Sequence, residues 1–187
     1  MMTRKTRRGI TALISLTAIS FWISRQQADE TMQPVAGLDP KLNYVLRDFE
    51  LQFYDENGKP TINIRSPVLR NNPELQLGTI EQPVIKLILA DAVWNLTSDS
   101  ATVTADKEHV LLSGHVHLQR LELNSGNRLE IDTREVSIKV TPQTASTDQA
   151  VSMFDGYNQV NAIGLDLNMK TNTFKLQQQV KATYAVH

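Results

Sequence analysis

From Asn43 to Tyr54 the chain reads NYVLRDFELQFY, with Val45, Phe49, Leu51 and Phe53 on one parity, Arg47 as the exception, and Asp48, Glu50 and Gln52 on the other. Successive side chains of a strand point to opposite faces, so this alternation predicts a half-buried strand. Asn57-Gly58 follows at once as a hairpin signal and leads into Thr61–Ile64 and on to Val68 and Leu69. Similar runs return at Val84–Leu89, Val93–Thr97, Ala101–Ala105, Val110–Leu118, Leu129–Ile131, Val136–Val140, Val160–Leu167 and Phe174–Tyr184, separated by Asn, Asp, Gly and Ser clusters. No stretch carries a convincing helical period. The pattern predicts an all-β meander folded as a sandwich, a jellyroll or an open elongated pair of sheets.

Two parts of the chain echo each other. SATVTADKEHVLLSGHVHL from Ser100 and GLDLNMKTNTFKLQQQVKA from Gly164 align without a gap at an offset of 64. Ala101, Val103, Ala105, Val110, Leu112, Val116 and Leu118 of the first copy match Leu165, Leu167, Met169, Phe174, Leu176, Val180 and Ala182 of the second. Each copy reads as a strand, a polar turn (Asp106–His109, Lys170–Thr173) and a returning strand, so the chain is built from stacked hairpins.

The N-terminus breaks this pattern. Arg4, Lys5, Arg7 and Arg8 precede GITALISLTAISFWISR, an apolar run without charge before Arg25, which places the N-terminus in the cytoplasm and the body across a membrane. Gly9–Ser24 covers about 24 Å at 1.5 Å per residue, short for a hydrocarbon core of about 30 Å. Trp22 suits a membrane interface and Arg25 can snorkel toward head groups. A cleaved signal is the alternative, with Ala18 and Ser20 as the small residues before the cut. The anchor reading uses Gly9, Ile10, Leu13, Leu16, Phe21, Trp22 and Ile23, and gives a basic segment 1–8, an anchor 9–25, a linker 26–40 with two prolines and a glycine, and one β domain over 41–187.

Charge and composition narrow the chemistry. Beyond residue 25 there are 14 basic and 20 acidic residues, a formal charge of −6, which disfavours a nucleic-acid partner. Without cysteine there is no disulfide, no thiolate metal site, no cysteine nucleophile and no lipidated thiol. His115 and His117 have the spacing of two ligands on one strand face, yet they lie opposite the apolar stripe Val110, Leu112, Val116, Leu118, and no third ligand is near. Asp99, Asp106, Asp132, Glu135 and Asp155 are scattered acids of the kind that sit on solvated strand faces. No G-x-S-x-G, P-loop or dinucleotide fingerprint occurs, and Asn95-Leu96-Thr97 is a short glycosylation-type match. No catalytic residue, metal or cofactor is expected.

The apolar faces carry more. Phe174, Leu176, Val180, Ala182 and Tyr184 share a parity, as do Phe49, Leu51 and Phe53. They fill a closed core or, if two layers splay apart, line a groove for acyl chains; parity alone leaves both open. The last strand runs almost to the end of the chain with only Lys175 and Lys181 to blunt it, so its edge is available for another strand.

These features together resemble the LptC family of lipopolysaccharide transport. The resemblance rests on the basic N-terminus with its apolar span, Tyr54-Asp55-Glu56-Asn57-Gly58, Gln82-Pro83-Val84, Trp94 with Ala101–Asp106, Gly114-His115-Val116, Asp132, Gly164-Leu165 and Val180–Tyr184, in order over about 140 residues. It implies a periplasmic β-jellyroll of two antiparallel sheets around an open V-shaped groove, tethered to the inner membrane of a Gram-negative cell by one helix. It implies lipopolysaccharide as the ligand, an LptBFG-type ABC transporter at the helix and the N-terminal edge, and LptA at the C-terminal edge; the free edges also leave room for a homodimer of the isolated domain, which the sequence does not decide. Lipid contacts carry over to Phe49, Ile80, Phe174 and Tyr184, Tyr184 as an identity and the others by position. Leu51, Phe53, Leu176 and Val180 extend that groove, and Lys175, Gln177, Gln179, Lys181 and Thr183 belong to the LptA-type edge strand.

Overall fold

A computed structural model describes residues 43–184; the expected basic segment, membrane anchor and linker lie outside them. Among the described residues no helix is long and apolar enough to cross a membrane. The chain forms β1 (Tyr44–Tyr54), β2 (Pro60–Asn72), β3 (Leu77–Glu81), β4 (Val84–Ile88), β5 (Ala92–Thr104), β6 (His109–Glu122), β7 (Arg128–Lys139), β8 (Thr144–Phe154), β9 (Gln159–Asn168) and β10 (Thr173–Thr183). The resemblance implies two sheets, whereas hydrogen bonding joins all ten strands into one antiparallel sheet ordered β1-β2-β3-β5-β6-β7-β8-β9-β10. β3 and β4 lie end to end in one rung. β3 pairs Leu69 with Ile80 and Ile80 with Ala101, while β4 pairs Ile64 with Ile85 and Ile85 with Leu96.

A crease crosses this sheet at mid-strand. The register slips at Asp99 in β5, between Leu112 and His115 in β6, between Asp132 and Ser137 in β7, between Thr147 and Ala150 in β8 and between Gln178 and Lys181 in β10. Asp48, Gln82, Gly114, Glu135, Gly164 and Gln179 adopt positive φ along the same line, and every other positive-φ residue sits in a turn. An inserted residue bends its strand and increases the local twist, so a row of bulges folds the whole sheet along one line. Wing 1, which carries the turns after β1, β4, β6 and β8, thereby comes to share one hydrophobic core with wing 2, which carries the turns after β2, β5, β7 and β9: Trp94, Leu96, Leu118 and Ile131 of wing 1 pack in the same cluster as Ile80, Leu112, Val136 and Leu165 of wing 2.

Short polar side chains make the crease affordable. Ser66, Ser98, Thr133 and Thr147 are buried. Thr133 Oγ1 donates to the Ala150 carbonyl at 2.8 Å, Thr147 Oγ1 to that of Arg134 at 2.7 Å, and Ser98 Oγ to that of Ser100 at 2.8 Å; Ser66 Oγ reaches the carbonyls of Val68 and Glu81. Carbonyls that the bulges remove from the ladder thus keep partners, and a buried polar group without one is costly. Gly114 N–H donates to Glu135 Oε1 and His115 N–H to Asp99 Oδ2, both at 2.8 Å.

The bulges also explain where periodicity misleads. Val93–Thr97 and Ala101–Ala105 read as two runs but form the single strand β5, because the residue at Asp99 shifts the inward parity from even to odd. β7 likewise unites Leu129–Ile131 with Val136–Val140 up to Lys139. β8 has no counterpart among the expected runs, since its inward positions begin with Ala145 and Thr147 and the pattern slips before Val151 and Met153.

Candidate functional site

The inner face is built from rows of cross-strand partners that run from the first strand to the last. In wing 1 the row is Leu51, Ile64, Ile85, Leu96, Leu118, Ile131, Met153, Val160, Ala182, apolar at every step. In wing 2 it is Tyr44, Asn71, Gly78, Val103, Val110, Ile138, Ala145, Leu167, Phe174. The wing 1 row is sealed from Leu96 to Met153 and opens toward both ends, whereas in the wing 2 row Val103 and Val110 are half-buried, Ile138, Ala145 and Leu167 are buried and Phe174 is exposed. Trp94, Leu112 and Ile131 are fully buried, whereas Phe53, Phe174, Val180 and Tyr184 remain 42%, 51%, 53% and 69% exposed. β1 and β10 each have a strand on one side only among the described residues, so the apolar rows end at two free backbone edges.

The expected lipid contacts fall into three places. Phe49, Leu51 and Phe53 lie on β1, with Phe49 packed against the core; Phe174, Leu176 and Val180 lie on β10, with Tyr184 just beyond it. Ile80 sits apart from both edges, 3% exposed within the core beside Leu69 and Ala101. An open concavity of about 390 Å³ runs along β1, walled by Asp48, Phe49, Arg65, Pro67 and Gln82. Another of about 480 Å³ runs along β10, walled by Lys139, Ala145, Asp166, Leu167 and Phe174. Among the edge-strand residues Lys175, Gln177, Gln179, Lys181 and Thr183, Gln179 is the left-handed residue of the β10 bulge and Gln177 donates to Asp166 Oδ2 at 3.3 Å.

The remaining sequence candidates serve the fold. His117 Nδ1 lies 2.8 Å and His115 Nε2 3.7 Å from Asp132 Oδ1, and among the described residues no three His, Cys, Asp or Glu side chains are placed to hold a metal ion. Asp99 and Glu135 brace the crease as described. Asp106 and Asp155 cap turns: the Thr104 hydroxyl and the Glu108 amide hold the Asp106 carboxyl below the usual range, and the Asn158 side chain and amide do the same for Asp155. On the outer face of β1, Asn63 and Arg65 lower Glu50 in the same way. Burial raises the Tyr44 phenol at the start of the wing 2 row.

Two features escape the sequence. One step further out on the inner face of wing 1, a row runs Phe53, Ile62, Leu87, Trp94, Arg120, Leu129, placing a cation beside a fully buried indole. Asn172, in the β9–β10 turn at the rim of wing 2, donates through Nδ2 to Asp91 Oδ2 at 3.1 Å in the β4–β5 turn at the rim of wing 1. This bond ties the free ends of the wings across the mouth of the fold. Parity marks Arg120 as inward, but nothing in a single sequence brings residues 91 and 172 together.

A family model described as "Lipopolysaccharide-assembly, LptC-related" matches residues 10–185. No curated protein matches the chain. The match spans nearly the whole sequence and agrees with a creased antiparallel sheet that offers apolar rows and free edges: the chain belongs to the LptC family, components of lipopolysaccharide transport.

Proposed function

We propose that this chain binds lipopolysaccharide between its two wings, as a jellyroll with a V-shaped groove, and relays it from an LptBFG-type ABC transporter at the β1 edge to LptA at the β10 edge. The observation that supports this reading most is the pair of inner rows that run from one free edge to the other. Acyl chains laid along their open ends leave water, worth about 0.8 kcal/mol per buried methylene, while sugars and phosphates stay outside. A partner strand added to β1 or β10 extends both sheet and rows, so strand addition and passage of the lipid are one device. The chain carries out no reaction; ATP hydrolysis in the transporter supplies direction. The segment 9–25 anchors the domain at the inner membrane, its Ser and Thr residues suiting a helix packed against transporter helices.

Site-specific photocrosslinkers at Phe49 and Phe174, with His117 on the outer face as control, test this reading. Lipopolysaccharide adducts are expected at the first two positions and not at the third. Adducts at none of them favour the competing reading, a closed sandwich for protein contacts only, which the burial of Ile80 at 3% supports.

A further inference from the structure

Three buried side-chain atoms among the described residues have no hydrogen-bond partner: Trp94 Nε1, Arg120 Nε and Asn172 Oδ1. Two are donors on cross-strand partners, for Trp94 pairs with Arg120 on the inner face of wing 1, one step inside the Ala92–Glu122 pair. Trp94 is fully buried, and the Arg120 side chain is 19% exposed. The third atom belongs to the residue that bonds Asp91, three positions before Trp94. Buried donors in folded proteins are almost always paired, and two neighbouring unpaired ones point to an acceptor that arrives from outside the chain.

The surroundings select its chemistry. Arg120 Nη2 lies 3.3 Å from Glu122 Oε1, and Glu122 Oε2 accepts from Ser125 Oγ and Asn127 Nδ2 at 2.5 and 3.2 Å. The Ser125 hydroxyl, then Asn127 and Arg120, hold the Glu122 carboxyl below its usual range, so it stays charged and cancels the guanidinium. Asp91, whose carbonyl accepts from Leu123 N–H at 2.8 Å, adds a second carboxylate beside the same strand end. A phosphate there meets two anions; a neutral oxygen meets two free donors. The depth agrees: the deeper row through Leu96 and Leu118 is apolar, the Ala92–Glu122 pair beyond brings in a carboxylate, and this row lies between, where chains join the head group in an acyl lipid.

We propose that Trp94 and Arg120 form a carbonyl subsite that donates hydrogen bonds to the ester or amide carbonyl oxygens of the acyl lipid between the wings. This rests on the lipid-binding reading above. The lipid enters past the Asp91–Asn172 bond and exchanges that contact for its own.

The chain has two tryptophans, so Trp22→Phe leaves Trp94 as the sole indole. The full chain, ¹⁵N-labelled in dodecyl maltoside, a detergent without carbonyls, is titrated with lipopolysaccharide. The indole N–H proton is expected to move downfield on saturation, and inorganic phosphate to leave it in place. Arg120→Met is expected to weaken lipopolysaccharide binding about fivefold, the effect of one net hydrogen bond. Bound lipopolysaccharide with an unmoved indole overturns the subsite and leaves the transport reading standing, as does a shift produced by phosphate alone. A chain that binds no lipopolysaccharide overturns both.

Discussion

The two hairpins that echo each other in sequence are also copies in register. Val103 faces Val110 and Leu167 faces Phe174; Ala101 faces Leu112 and Leu165 faces Leu176; beyond the crease Leu96 faces Leu118 and Val160 faces Ala182. Each pair is displaced by the same offset of 64. Their first strands are alike, with Ala101 and Leu165 both in the core, but their returning strands differ in burial. Leu112 and Val116 are sealed in β6, which has β7 beyond it, whereas Val180 is 53% exposed in β10, which among the described residues has nothing beyond it. Pattern therefore decides which face a side chain takes, and the next strand decides whether that face is dry.

The comparison breaks if equivalent residues respond alike. Leu112→Ala leaves a cavity in the middle of the core and is expected to cost about 2–5 kcal/mol. Leu176→Ala, its counterpart on β10, removes a half-buried side chain beside water and is expected to cost about 1 kcal/mol. Urea unfolding of both variants gives the two values, and equal losses mean that β10 is as well covered as β6.

The glycines at the crease sharpen it next. At Gly114, with φ +81°, an added Cβ stands 2.0 Å from Asp99 Oδ2 and 2.7 Å from Asp99 Cβ, so the whole Asp99 side chain is in the way. At Gly164, with φ +79°, the obstacle begins with the amide end of Gln177 at 2.5 Å on an exposed edge. Backbone strain is common to both, about 1–3 kcal/mol. Gly114→Ala is expected to cost more than Gly164→Ala, and Gln177→Ala to recover part of the second loss. Asp99→Ala is not expected to rescue the first, since it strips the His115 amide of its acceptor.

Phe174→Asp changes a half-exposed position and is expected to alter the unfolding free energy by less than about 0.5 kcal/mol. Lipopolysaccharide crosslinking from Phe49 in the same variant tells whether the far end of the rows matters to loading. Unchanged crosslinking separates the edges and argues against a shared track.

The alternation of Asn43–Tyr54, the Asn57-Gly58 turn and the hairpin echo were legible because each is local: strand side chains alternate with period two, and the left-handed Gly58 at φ +74° closes the first hairpin. The crease was not legible, because bulges at Asp99, Glu135 and Gln149 reset parity and look like strand ends. The hydroxyls of Ser66, Thr133 and Thr147 carry no local sign that they are buried at the bend. Trp94 was visible as a family residue, yet its buried, unpaired indole nitrogen depends on the packing around it and not on its own strand. Periodicity reports which way a side chain points from its own strand; only the fold over the crease reports what it meets.

The smallest expected effect separates the two turns. In the first hairpin Glu108 N–H donates to the Asp106 carboxylate at 2.9 Å; at the second, Thr171 N–H donates to the Asn168 carboxamide at 3.0 Å, and Lys170 stands where Asp106 does. The Thr104 hydroxyl, then the Glu108 amide, lower the Asp106 carboxyl in the folded state. A folded value below the unfolded one stabilises the turn above the unfolded carboxylate range, near pH 3.9, and that contribution fades as pH falls through the folded value. The Asn168 cap has no proton to gain. Amide exchange of Glu108 and Thr171, followed from pH 6 to pH 2 and corrected for intrinsic rates, is expected to show protection falling at Glu108 and holding at Thr171. Asp106→Asn takes the titrating group out of the first cap and is expected to abolish the difference; if Glu108 still loses protection in that variant, the acid response belongs to the sheet and not to its turn.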